Sequence, residues 1–304
     1  RASFLSSGAA IENMLIEASA EGYRADVVYF PNNDDKWHVA DIRLVKDDSI
    51  KIDPFAAFIK KRITNRKAYA NDPLTNDERK AFLTVAEHGG GNFLLAEKRE
   101  DINRLGRVGS TNEEVMLANR ALHKFFFSHV NWTKEEDEKK KIGFYIKTLE
   151  LLPPAEAMFK VFRHWSIMRM LGALGFNRIV AKQNGSTNAS AAAIGALMIV
   201  GTEPLDFVKI GRMIERLWLT ATSLGLSFQP LTGVLFFRLK IAAGEGKVFS
   251  PREQKLITDA YQEASLICKA DGKHIAFMFR VGHGDAPSSH AIRFPLKDVV
   301  EAIP

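Results

Sequence analysis

Apolar residues recur at three- and four-residue intervals over residues 7–22, where Ile11, Leu15, Ala18 and Gly22 share a face and Ile16 widens the stripe. This spacing predicts an amphipathic helix, capped by Ser6 or Ser7 and ended by Gly22. The period then changes. Residues 25–30 read as a strand, Pro31 to Asp35 as a turn, and Val39 to Val45 alternates apolar with polar positions as a half-buried strand does. Helical spacing returns over 54–61 behind Asp53, over 74–88 behind Thr75 or Asn76, and over 101–127. Gly89-Gly90-Gly91 reads as a break, 93–96 as a short strand, and Lys134 to Lys141 as a solvated loop or helix start.

Beyond residue 150 the pattern is less regular. Met158, Phe162, Trp165, Met168 and Met170 suggest a mobile helical cover more than a tight core, and Asn184 to Ser190 reads as loop. Ala192 to Val200 is an apolar run suited to a central strand. Helix is predicted over 206–225 and, behind Ser250, over 251–268; strand over 234–239 and 275–281; the tail 287–304 is expected to be extended. Helices and strands intermix, so the expected class is α+β.

One stretch occurs twice. Gly8, Ile11, Glu12, Ala18 and Gly22 recur in register as Gly211, Ile214, Glu215, Ala221 and Gly225, and each copy is expected to run into a strand. The chain therefore reads as two related halves.

Bulk properties narrow the class. The 304 residues are 46% hydrophobic and 26% charged, as in an ordinary globular protein. The net charge of +6 suits an acidic partner such as a phosphate-bearing cofactor. Cys268 is the only cysteine, which excludes disulfide scaffolds and multi-cysteine metal sites. The longest apolar run is too short to span a bilayer and no signal peptide is visible, so no membrane partner and a cytoplasmic location are expected. Arg1 stands where an initiator Met belongs, and the natural N-terminus is expected to lie further upstream.

Three elements carry candidate chemistry. In Arg62-Ile63-Thr64-Asn65-Arg66 two arginines flank a hydroxyl, and on a helix end or tight turn they share a face suited to phosphate; a plain basic surface is the other reading. The turn Ser223-Leu224-Gly225-Leu226-Ser227 closes the second repeat helix, either as a simple cap or as backbone open to a flat ligand. Gly282-His283-Gly284 and Arg293-Phe294-Pro295 lie near the end, as a glycine turn and edge strand or as a further phosphate contact. Aromatic residues are not interleaved with the basic ones, so nucleic acid is not expected. His274, His283, Asp285 and His290 cluster in sequence without zinc-type spacing, and no metal site is assigned.

In this order and spacing the three elements resemble the FMN-dependent nitroreductase family, over roughly residues 55–300. The family shows Arg-x-Ser/Thr-x-Arg, matched by Arg62 to Arg66; Ala-Thr-x-x-Gly-Leu, matched by Ala221 to Leu226; and an arginine before an apolar residue and proline, matched by Arg293 to Pro295. Ser6 to Asn13 resembles a divergent branch with two fused nitroreductase-like halves, some of whose members carry an adenylating domain like that of ubiquitin-activating enzymes. The resemblance implies a nitroreductase-like mixed sheet flanked by helices. Residues 1–50 would be a remnant of the first half, and 51–304 the second half with an insert or lid near 131–190.

It further implies that Arg62, Thr64 and Arg293 hold the phosphate of one FMN. Arg66 would face the pyrimidine edge of the ring, and Gly225 and Leu226 would lie beside it. NAD(P)H would supply hydride and a nitro compound or quinone would accept it, with no side chain acting as catalytic acid or base. The family's FMN sits at a homodimer interface, which a fused chain forms internally; a homodimer of this chain is the other expectation. The competing functional class is a non-catalytic flavin-sequestering module, or an accessory domain of a larger adenylating protein.

Overall fold

The computed structural model describes residues 1–89 and 92–301; Gly90 and Gly91 of the expected break and residues 302–304 of the expected extended tail lie outside the described residues. The first apolar stripe forms α1 (Ala2–Ala20), which starts earlier than its spacing predicts. Ser6 sits within the helix and its hydroxyl donates back to the Ala2 carbonyl. Strands β1 (Tyr23–Tyr29) and β2 (Ala40–Lys46) pair antiparallel. The helix expected over 54–61 is only a 3-10 turn at Ala56–Phe58, because so short a run cannot sustain an α-helix without a packed stripe.

Helix α2 (Asn76–His88) carries a full capping box between Thr75 and Glu78. After β3 (Asn92–Ala96) the long helical run divides into α3 (Arg99–Ala118) and α4 (Arg120–Ser128). Asn119 is extended between them; its side-chain oxygen accepts from the Ala121 and Leu122 amides and caps α4. Then come β4 (Val130–Asn131), α5 (Lys134–Lys140) and β5 (Phe144–Tyr145), with β4 and β5 parallel, and a 3-10 turn at Ile146–Leu149.

Helices α6 (Pro153–Phe162), α7 (Trp165–Ala173) and α8 (Phe176–Ala189) follow. The expected loop at 184–190 is instead the end of α8. Its small residues let α8 lie close against α3: a Cβ on Gly185 would stand 3.0 Å from the Ser110 hydroxyl, and Asn188 donates to the Gly106 carbonyl. The expected mobile cover also has a core of its own. Phe162 and Met168 are buried with Phe127, Val130 and Ile146, while Met158 and Met170 are exposed.

The remaining elements are β6 (Ala193–Ile199), α9 (Pro204–Ser223), β7 (Ser227–Pro230), α10 (Gly233–Ala242), α11 (Pro251–Ile267) and β8 (His274–Gly282). The strand expected over 234–239 is helix α10. A continuous apolar run satisfies either period, and here Val234 and Leu235 are buried against Leu105 and Ile257. The strand after α9 is the short edge strand β7, closed by Pro230, as an edge permits.

The central sheet has the order β3-β6-β8-β7, every neighbour antiparallel. Alternation along β6 divides the core. Leu197 and Ile199 face a cluster with Phe82, Phe207, Leu217 and Phe279; Ile194 and Met198 face a second with Leu105, Leu235 and Ile257. Ala276 is an extra residue in β8 where the register shifts between Leu197 and Met198. The first face is covered by α1, α2 and α9, the second by α3, α10 and α11. The class is α+β.

Helices α1 and α9 touch backbone to backbone at Gly8 and Gly211. A Cβ on Gly8 would lie 2.0 Å from the Val208 carbonyl oxygen, and one on Gly211 would lie 2.1 Å from that of Leu5. Gly22 and Gly225, which follow the two helices, both have positive φ, 75° and 71°.

Candidate functional site

Residues 59–71 form an irregular strap, not the helix end expected for the arginine motif. Asn65, nearly fully buried, pins the strap to the sheet. Its amide N–H donates to the Phe228 carbonyl (3.0 Å), and its side-chain amide donates to the Ser227 hydroxyl and the Asp285 carbonyl, both at 2.8 Å. The Trp218 indole of α9 donates to the Ile63 carbonyl at 3.1 Å. The strap is therefore held by α9 and by the sheet at the residues just after Arg62.

The Arg62 guanidinium lies 4.3 Å from the centre of the Trp218 ring, which stacks on Phe228, itself stacked on Phe279. Arg62 Nε is 2.8 Å from Oε1 of Glu215, a carboxylate 1% exposed. Its N–H is not directed at that oxygen, so the contact is Coulombic and both buried atoms lack a hydrogen-bond partner. Arg293 comes from the far end of the chain and reaches the Ile59 and Arg62 carbonyls at 3.4 and 3.5 Å. Burial pushes the Glu215 carboxyl above its ordinary range, against the pull of Arg62, Asn13 and Arg293. Burial likewise lowers Arg62, and the like charge of Arg293 lowers it further. Two guanidiniums thus face one carboxyl.

The other expected residues make no hydrogen bond or ion pair with this carboxyl. Thr64 is half-buried in the strap. Arg66 turns toward the insert and donates to the Thr148 carbonyl at 3.0 Å; burial lowers it, with Tyr69 and Glu150 acting in the opposite sense. Gly225 is exposed, and a Cβ there would meet nothing within 4 Å. Leu226 is buried in the first core. Its amide donates to the Ala221 carbonyl at 2.8 Å and closes the α9 cap.

A second buried glutamate lies on α1. Glu12 on α1 is also 1% exposed and takes Arg212 (2.6 Å) and Arg216 of α9; Arg212 also reaches the Tyr29 hydroxyl, and Arg216 reaches Asp53. Burial lowers both arginines, but carboxylate pairing prevails and leaves them raised. Neither glutamate is among the expected site residues, although one signal was available: Glu12 and Glu215 match in register between the two similar stretches.

Arg280 is not among the expected site residues either. It is fully buried on β8, stacked 3.9 Å over the Tyr69 ring, and donates to Gln229, the Thr187 carbonyl and the Lys67 carbonyl at 2.6–2.7 Å. Arg280→Met strands these three acceptors and is expected to lower stability by about 3 kcal/mol in a denaturant titration.

Among the described residues, no group of three or more His, Cys, Asp or Glu side chains converges as metal ligands. His283 instead meets Glu78 at 3.0 Å. No helix is long and apolar enough to cross a membrane among those residues. Three cavities of about 580, 520 and 570 Å³ lie on the α3–α7–α11 side, beside Glu12 and Arg212, and between α3 and α8; none of the six expected residues lines these three.

No family model matches the chain. The uncharacterized protein MT1398 of Mycobacterium tuberculosis is 19% identical over 294 residues, 95% of this chain and 40% of that protein, so the chain spans less than half of its relative's length. Among solved structures, the FMN-dependent nitroreductase NfnB from Mycobacterium smegmatis in complex with NADPH is 13% identical, with 82% of this chain and 98% of that one covered at a TM-score of 0.45. A nitroreductase with bound FMN from Desulfitobacterium hafniense is 13% identical, with 84% and 100% covered at 0.42.

Proposed function

We propose that this chain is a nitroreductase-like, FMN-binding oxidoreductase unit that takes hydride from NAD(P)H and reduces a nitro compound or quinone. One observation carries the reading: Arg62 and Arg293, distant in sequence, meet beside a buried carboxyl that does not neutralise both. The residues present suit a phosphate monoester. Arg62 Nε is a buried donor without a hydrogen-bond partner, and two guanidiniums beside one carboxylate leave a positive charge unmatched. Arg62 and Arg293 would hold the phosphate with Thr64 as a neutral donor, each charge-assisted bond contributing about 1.5–3 kcal/mol.

Gly225 leaves space for a ring, and Leu226 stiffens the turn beneath it. FMN, when bound, supplies the hydride chemistry. The chain's own groups bind and orient it, and Arg66 supplies positive charge toward the ring if it exchanges the Thr148 carbonyl for that contact.

In the same reading residues 1–50 are the remnant of a first half and 51–304 the second, with 131–190 as an insert. The crossing at Gly8 and Gly211, the paired positive-φ glycines and the paired buried glutamates support it. The α1–α9 contact then stands for an internal half-to-half interface, and a second copy of the chain is the proposed cover for the open side at Gly225.

The test is an absorbance spectrum with FMN titration, followed by NAD(P)H oxidation with a nitroaromatic. Uptake of one FMN and turnover are expected. Uptake without turnover rejects the oxidoreductase part; absence of uptake rejects the whole reading.

A further inference from the structure

A groove between α3 and α8 carries charge that nothing in the flavin reading uses. Arg99 and Arg107 of α3 and Lys182 of α8 line a cavity of about 570 Å³ together with Asn71, Asn103 and Ser186, and among the described residues no carboxylate lines it. Among the described residues, none of the three cations is in an ion pair. Glu263 is the carboxylate that feels Arg107, and it is held by Arg104 at 2.5 Å.

The groove has a built frame. Gly106 and Gly185 bring the two helices together beneath it, since a Cβ on Gly106 would stand 3.0 Å from the Gly185 carbonyl oxygen, and Gly185 itself lines the groove. Arg99 is fixed by the carbonyls of Ala189 (2.7 Å), Ala191 (3.2 Å) and Asn71 (3.4 Å). These acceptors are neutral, so they orient the guanidinium and leave its charge unmatched. Arg99, Asn103 and Arg107 follow at four-residue steps along one face of α3, which separates the two arginines by about 12 Å along the axis. The groove thus has a cation at one end, an arginine and a lysine toward the other, and uncharged hydrogen-bonding groups between.

We infer that this groove binds a hydroxyl-rich organic phosphate, such as a phosphorylated sugar. The volume suits a small molecule. Guanidinium and ammonium groups recognise phosphate, and amide and hydroxyl side chains recognise sugar hydroxyls. Among the described residues no aromatic side chain lines the groove to stack a base, which disfavours single-stranded nucleic acid. The site is independent of the Arg62–Arg293 group.

Calorimetric titration of the whole chain with fructose 1,6-bisphosphate tests this, with fructose as the uncharged control. The bisphosphate is expected to bind and fructose not. Arg107→Gln/Lys182→Gln removes two exposed cations and is expected to weaken binding by about a hundredfold, roughly tenfold per charge-assisted contact, without changing the thermal midpoint. Arg293→Gln is expected to leave bisphosphate binding intact, and the double variant to leave FMN uptake intact, so either site can fail alone. No binding to the wild type, or equal binding to the double variant, overturns the inference. So does a single-stranded oligonucleotide that binds more tightly than the bisphosphate and depends on the same two cations.

Discussion

Gly211→Ala is expected to destabilise the protein by about 3 kcal/mol, although alanine is the better helix former by about 1 kcal/mol. The added methyl would stand 2.1 Å from the Leu5 carbonyl oxygen, a backbone atom that cannot swing aside as a side chain does. Relief therefore requires α1 and α9 to separate, which loosens Phe4, Leu5, Val208 and Ile214 in the first core and strains the arginines on Glu12. Gly8→Ala meets the Val208 carbonyl at 2.0 Å and should cost a similar amount. The double substitution should cost well under the sum, because the helices separate once for both. Gly172→Ala in α7 is the control: its Cβ meets nothing within 4 Å, and a gain of about 1 kcal/mol is expected. Chemical denaturation measures all four. Equal effects at Gly211 and Gly172 would show that the two helices do not make this close crossing.

The second large effect concerns phosphate binding. Arg293→Gln is expected to weaken FMN binding by about tenfold or more with little change in stability, because Arg293 is exposed and makes only long contacts to carbonyls. Arg62→Gln alone would also strand the buried Glu215 carboxyl, so the cleaner variant is Arg62→Gln/Glu215→Gln, which should keep the fold and lose about tenfold to a hundredfold in affinity.

Glu215→Gln alone tests the electrostatics with the opposite sign. Removing the carboxylate frees Arg62 for an anion, so FMN should bind more tightly than to the wild type. The pH dependence follows from the raised Glu215 carboxyl. A group held above its unfolded value supports the folded state most fully below that value and loses its contribution as pH rises through the folded one. A phosphate beside it also favours the protonated form. The advantage of Glu215→Gln over the wild type should therefore widen as pH climbs through the Glu215 titration. Fluorescence titration of FMN at several pH values reads this directly, and a pH-independent ratio would remove Glu215 from the phosphate group.

The individual elements were legible to different degrees. Helices α2 and α11 could be read with their caps, because Thr75-x-x-Glu78 and Ser250-x-x-Glu253 are local arrangements of donors and acceptors. Strands β6 and β8 were legible as apolar runs between turn residues. Helix α10 and the end of α8 were not. The first is apolar at nearly every position and fits either period; the second is rich in small polar residues that mimic a loop until α3 packs against them. In the candidate site, Arg62 and Arg293 were legible as residue types in an ordered set of motifs. Their neighbour Glu215 was visible as a repeated position, but its burial was not.

Periodicity and capping chemistry are properties of neighbours along the chain, so they could be read from residue order alone, together with the α+β class. Only the packed chain fixes which glycines touch, which glutamates are sealed from water, that Arg66 reaches the Thr148 carbonyl, and that cations of α3 and α8 share a groove. Those outcomes depend on groups brought together across tens to hundreds of residues. Their energies come from desolvation and close packing, which no local pattern encodes.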